Sequence, residues 1–348
     1  GATAAAGGHA MIGARVLAAT LAAVSLLAVR PSAAGDLWTS AAVSPEQART
    51  QHAYDQAMLD GDDAVERAVA MDVPLTRARL VERAVTSYET AAHLRPDLAE
   101  PHFRAADVLH SFYLDCQPSD PLPCPSPHTP ATRQRMIEHW EAFERLAPGD
   151  PRIAEDILFS RAVARTWLGT HDDLAAARAD YLELLELQPD SVSYQVLGNL
   201  AETEMMLGDI DGAIETYRRC LANGADLSEE YGLAVTLDRD EQGTEARAIM
   251  AARGPLGLTR FKDDLRLGRI FYVPAGEEYY YLALAEEALG DYGQAIDHWD
   301  AFIKSGAHPQ FADRARHNRD ALLKLAPPDD RERTRHVPAR GLPRWPPP

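Results

Sequence analysis

The sequence is poorest in three things: cysteine, lysine and aromatic side chains. Only Cys116, Cys124 and Cys220 occur in 348 residues, too few for a scaffold held by disulfides. Lysine appears only as Lys262, Lys304 and Lys324, so arginine makes up nearly all of the 35 basic residues. That bias reads as the codon usage of a GC-rich bacterial genome. The net charge of −18 excludes a nucleic-acid role, because phosphates need a basic face. Aromatics are 7% of the chain, while alanine is abundant. Such a composition favours helices that pack closely through small side chains. A glycine-rich phosphate loop, a nucleophile elbow, a Cys-x-x-Cys-His haem site and a zinc-protease helix pattern are all missing.

Long apolar runs are missing too. The longest, Val16 to Val29, falls short of the about 20 residues that span a bilayer. It follows Met11 and Arg15 and precedes Pro31-Ser32-Ala33-Ala34, a small-x-small cleavage pattern. Residues 1–34 are therefore expected to be an N-terminal extension plus an export signal. The mature chain would begin near Gly35 and be periplasmic or secreted, with membrane contact only if the signal stays uncleaved.

What is present is repetition. Ile137-Glu138-His139-Trp140-Glu141-Ala142-Phe143 returns as Ile296-Asp297-His298-Trp299-Asp300-Ala301-Phe302. Around the second copy, Tyr279 to Leu289 and Gly290-Asp291 lead into Ala295-Ile296 and Trp299. Leu207-Gly208-Asp209 likewise leads into Ala213-Ile214 and Tyr217. Each block reads as a helix, a Gly-Asp turn and a second helix carrying small, aliphatic and aromatic residues toward a core. Proline closes second helices at Pro96, Pro148 and Pro189. The second-helix aromatics are Tyr88, Trp140, Tyr181, Tyr217 and Trp299. The long gap before Trp299 hides a degenerate unit, Tyr231 to Asp240, then Gly243, then Ala248-Ile249.

These motifs resemble the tetratricopeptide repeat family. The resemblance covers most of residues 60–325 and implies an all-α, right-handed superhelical solenoid of helix-turn-helix repeats with a concave groove for a protein or peptide. The expected layout is a lead-in over 35–60, which becomes the first helix near Glu46, and a repeat domain over 61–325. Within that domain lie a proline-rich loop at 115–130, an irregular insertion at 254–276 with a short extended piece, and a cap helix at 309–325. A Pro/Arg-rich disordered tail follows at 326–348.

Candidate chemistry is sparse. Cys116 and Cys124 lie in one proline-rich loop and are expected to form a disulfide in an oxidising compartment. A metal site with His110 and His128 is the alternative, although seven residues between cysteines suits zinc poorly. Cys220 shares the slot of Ala91 and Phe302 and is expected to be buried as a small hydrophobe. His139 and His298 occupy equivalent slots, expected to be surface or half-buried. Neither catalytic residues nor a cofactor or metal is expected.

In the implied fold the first helix of each hairpin lines the groove. Helical spacing selects Phe103, Asp107 and His110; Phe159, Val163 and Trp167; Gln195, Asn199, Glu202 and Met206; and Tyr280, Leu284 and Glu287. The expected function is a non-catalytic, exported scaffold. Its ligand would be basic or apolar, because an acidic one meets like charge. Self-association through the tail is a further expectation. The alternatives are a structural component of an envelope assembly, or a metal-binding protein or enzyme using the 115–130 loop.

Overall fold

A computed structural model describes residues 44–114, 129–189, 194–224, 227–267, 270, 272 and 274–325. The export segment, Cys116, Cys124, His128 and the tail lie outside the described residues. The chain divides after Ala48. Of the first unit only residues 44–48 are described. There a capping box starts the first helix, with Gln47 N–H donating to Ser44 Oγ and Ser44 N–H donating to Gln47 Oε1.

The described residues form thirteen α-helices and no strand. They are α1 (Pro45–Val69), α2 (Pro74–Leu94), α3 (Glu100–Leu109), α4 (Pro130–Leu146), α5 (Leu158–Leu168), α6 (His171–Leu187), α7 (Tyr194–Leu207), α8 (Ile210–Ala222), α9 (Leu227–Arg239), α10 (Gly243–Arg266), α11 (Glu278–Ala288), α12 (Tyr292–Ser305) and α13 (Ala312–Leu325). From α2 onward each helix packs on the next in sequence, an all-α helical-repeat solenoid. None of these helices is long and apolar enough to cross a membrane.

The turns explain the pairing. Gly169, Gly208 and Gly290 each end a first helix with positive φ, a conformation that costs glycine little. The next residue caps the second helix: Thr170, Asp209 and Asp291 accept from backbone N–H groups three residues on. Tyr88, Trp140, Tyr181, Tyr217 and Trp299 are all buried, filling the space between helices. Cys220 is buried beside them as a free thiol, and burial first, then Glu229, pushes its pKa to about 12.

Two expectations need correction. In the degenerate hairpin the inward residues are Ala246 and Met250, both fully buried, whereas Ala248 is exposed. The Ala-Ile pair was therefore a false register, and methionine takes the aromatic's slot. The region 254–276 is also less irregular than expected. Gly254 (φ 62°, ψ −171°) breaks α10, and Pro255 opens a second segment that stays helical to Arg266. Leu258, Phe261 and Leu265 recur at helical spacing there, and the first two are buried.

Candidate functional site

The first helices α5, α7, α9 and α11 touch one another in series and so share one side of the array. That side differs along its length. In α5, Phe159, Val163 and Trp167 are half-buried; in α3 so is Phe103, while Asp107 is exposed, and His110, just past the end of α3, is half-buried. In α7, Gln195 is exposed and Asn199 half-buried. Met206, near the C-terminal end of α7, is buried.

In the C-terminal hairpins the side is covered. The helical segment 255–266 lies against α9 and α11. Phe261 packs on Tyr231 (centroids 4.8 Å apart), Tyr281 (6.0 Å) and Tyr272 (6.3 Å). Lys262 Nζ reaches Glu286 Oε1 at 2.7 Å. Tyr280 and Leu284 are fully buried and cannot line an open groove. Tyr280 stands edge-on to Trp299 and Phe302, and its Oη donates to Asp238. Glu287 is half-buried and engaged by Arg247 Nε (2.6 Å) and Trp299 Nε1 (3.3 Å). Glu202 faces inward as well: its Oε2 accepts from Tyr217 and Tyr281 hydroxyls, both at 2.9 Å.

Covering these helices buries charge. Arg239 is wholly enclosed. Its Nη2 lies 2.6 Å from Glu277 Oε1, and its guanidinium stacks on Tyr280 (4.5 Å) and Phe311 (4.1 Å). The other Glu277 oxygen meets His308 Nδ1 at 2.9 Å. Burial raises the Glu277 carboxyl, but Arg239 and His308 outweigh it and hold the pKa below the ordinary range. Glu202 has no such cation bonded to it. Burial first, and then the charge of Glu277, raises its pKa. Three buried atoms in this group lack a hydrogen-bond partner: Glu202 Oε1, Arg239 Nε and Arg239 Nη1.

Beside His308 an open cleft of about 470 Å³ remains. Trp167, Leu168, Leu174, Met206 and Pro309 give it apolar walls; His171, His308 and Gln310 supply polar groups. The structure thus brings together the expected groove residues Trp167 and Met206, from α5 and α7. Sequence reasoning missed His308 and Gln310. One signal was available: Gly306-Ala307-His308-Pro309 interrupts the helical pattern between the last hairpin and the cap. His308 also holds φ 41°, unusual for a side-chain-bearing residue.

The two equivalent histidines have different surroundings. His139, expected at the surface or half-buried, is buried, with Nε2 3.2 Å from Glu89 Oε1 and Nδ1 3.0 Å from His102 Nδ1. His298 Nδ1 instead meets Glu286 Oε2 at 2.6 Å. His102 is held down to about 4, by burial first and then by positive charge on His139 and Arg145. His139 is lowered too, chiefly by burial. Among the described residues no three His, Cys, Asp or Glu side chains gather in a way that could hold a metal ion. His110 packs near Trp140, with ring centroids 5.7 Å apart.

No curated protein sequence matches the chain. The tetratricopeptide repeat signature matches residues 279–305, which run from the second residue of α11 to the end of α12. Serial hairpins with Gly-Asp turns and this match together identify the chain as a tetratricopeptide repeat-containing protein.

Proposed function

We propose that the chain is a non-catalytic scaffold that holds a protein or peptide segment, and that the ligand is apolar or basic. The observation that carries this reading is the cleft beside His308, where Trp167 and Met206 from two neighbouring first helices meet the connector before α13. Apolar walls with a few polar groups suit a peptide side chain. The half-buried aromatics Phe103 and Phe159 continue that surface character on α3 and α5. The chain's charge of −18 favours a basic partner.

The test is binding of a labelled peptide library that spans acidic, apolar and basic members. Basic and apolar peptides should bind, and the exposed-site change Gln310→Trp, which fills the cleft, should weaken them at least ten-fold. A preference for acidic peptides, or binding indifferent to Gln310→Trp, overturns the reading. We also propose that the chain acts outside the cytoplasm, from the Arg15, Val16–Val29 and Ser32-x-Ala34 pattern. N-terminal sequencing of native material should read from near Gly35. An intact Met11 on a membrane-bound chain would contradict it. In such a compartment Cys116 and Cys124 should be joined, as non-reducing peptide mapping would show.

A further inference from the structure

The cleft is next to the start of α13, and that geometry bears on what fills it. Pro309 and Gln310 line it, and α13 begins at Ala312. Fourteen helical residues carry the chain about 20 Å from there. The next twenty residues, to Trp345, reach at most about 70 Å when extended. The end of the sequence can therefore return to the cleft.

Its chemistry matches. From Arg333 to Pro348 the sequence contains Arg333, Arg335, Arg340 and Arg344 and no Asp or Glu, in a chain of net charge −18. Trp345 is the single Phe, Trp or Tyr after Phe311 and is flanked by Pro343 and Pro346. Proline-flanked segments favour the extended polyproline conformation, which loses little entropy on docking against aromatic walls. On the cleft side, Trp167 carries the Arg133 guanidinium over its ring at 4.6 Å and adds apolar surface with the largely buried Met206, while the lining residue His171 lies 3.7 Å from the exposed Asp172. His308 is anchored through Nδ1 to Glu277, and its Nε2 has no partner among the described residues.

We propose that Arg344-Trp345-Pro346 occupies this cleft in its own chain, with Trp345 against Trp167 and Met206, so that an outside ligand must displace it. This rests on the cleft being a peptide site. The experiment uses full-length chains and a labelled peptide of residues 336–348. Trp345→Ala leaves the cleft vacant, so the peptide should bind that variant at least ten-fold more tightly than wild type. Added salt should weaken the complex. Gln310→Trp in the Trp345→Ala background should abolish binding, with an unchanged circular dichroism spectrum as the control for folding.

Equal binding to wild type and Trp345→Ala, or no binding to either, overturns the proposal. So does binding that survives Gln310→Trp. If wild type self-associates in light scattering and Trp345→Ala does not, the segment fills a second copy's cleft, and the assignment to its own chain falls. If the 336–348 peptide fails while library peptides bind in a Gln310→Trp-sensitive way, the scaffold reading stands and the occupant is wrong. If neither binds, both readings fall.

Discussion

Helices α5 and α11 occupy the same place in their hairpins and have the same length of 11 residues, yet they are solvated differently. In α5 the buried residues are broken by half-exposed ones, and Phe159, Val163 and Trp167 keep contact with solvent. In α11 every residue from Tyr280 to Glu286 is buried. The difference lies in what has been laid over the repeat. In the C-terminal region the segment 255–266, the connector through His308 and helix α13 form a second layer. The earlier first helices have no such cover within the described residues.

A second layer turns surface carboxylates into interior ones, and each needs a partner from the covering elements. Glu286 receives Lys262 from the inserted segment, and Glu277 receives His308 from the connector. Asp238, fully buried at the end of α9, accepts from Tyr280 Oη, Arg314 Nη2 and Asn318 Nδ2, all at 2.8 Å. The earlier hairpins bury one such group, Arg161 against Asp180 at 2.7 Å, but keep other charge nearer solvent. Arg135, partly exposed, bridges the exposed Glu82 and the partly exposed Glu89. Exposed pairs contribute about 0–1 kcal/mol, whereas breaking a buried pair costs about 3–5 kcal/mol.

The largest expected effects test that contrast directly. Asp238→Ala should cost about 3–5 kcal/mol of stability, since it strands Arg314, Tyr280 and Asn318 and loosens α13. Trp299→Ala should cost a similar about 3–5 kcal/mol through lost packing. Arg135→Ala should cost under about 1 kcal/mol. Urea denaturation of the three variants checks the order. Equal losses from Asp238→Ala and Arg135→Ala would erase the distinction between the two regions.

Much of this was legible beforehand, and the part that was not has a physical cause. Gly-Asp turns, alanine and a second-helix aromatic are local signals, and they located five second helices. Covering layers are tertiary, and helical spacing alone cannot report them. Tyr280 was placed in the groove although it faces Trp299 and Phe302 of its own hairpin, and Leu284 although it is fully buried. A clue was nevertheless present: Tyr279 to Ala285 carries no charged residue, and a helix apolar on every face is buried on every face. The cleft was half legible. Trp167 and Met206 followed from spacing, but His308 and Gln310 reach it from a connector with no periodicity.

Acid should separate the regions by sign. His102, with pKa about 4, and His139 are both lowered, so the earlier hairpins keep that stability above about pH 6.5 and lose it as pH falls through the folded values. Because His102 is only partly buried, its share is discounted to roughly 1–2 kcal/mol. Glu202 acts oppositely. Its folded pKa is raised, so α7 gains as pH falls through that value, and the gain is complete below the unfolded value near about 4.3. Hydrogen exchange between pH 6.5 and 4 should show α3 and α4 losing protection before α7. His102→Phe should flatten the first response, and a uniform loss along the chain would contradict the assignment.

The smallest effect concerns the hairpin that hid in the sequence. Gly169, Gly208 and Gly290 take positive φ at the turn, but the fifth hairpin places Glu241 there at φ 62°. A side chain in that conformation costs roughly 1–2 kcal/mol, which is why the other turns use glycine. The following residue, Gln242, makes no side-chain cap where Thr170, Asp209 and Asp291 do. Both local signals of the repeat are therefore absent at one turn. That turn still forms because Ala246 and Met250 are buried on one side and Asp238 is bonded on the other. Tertiary packing here overrides a poor local sequence. Glu241→Gly should accordingly raise stability by about 1 kcal/mol, and Gln242→Asp should add about 1 kcal/mol through a restored cap. Gly208→Ala should do the reverse at the matching turn. If Glu241→Gly destabilises the protein, the carboxylate of Glu241 has a role at that turn that outweighs its backbone strain, and the fifth hairpin departs from the repeat by more than its missing signals.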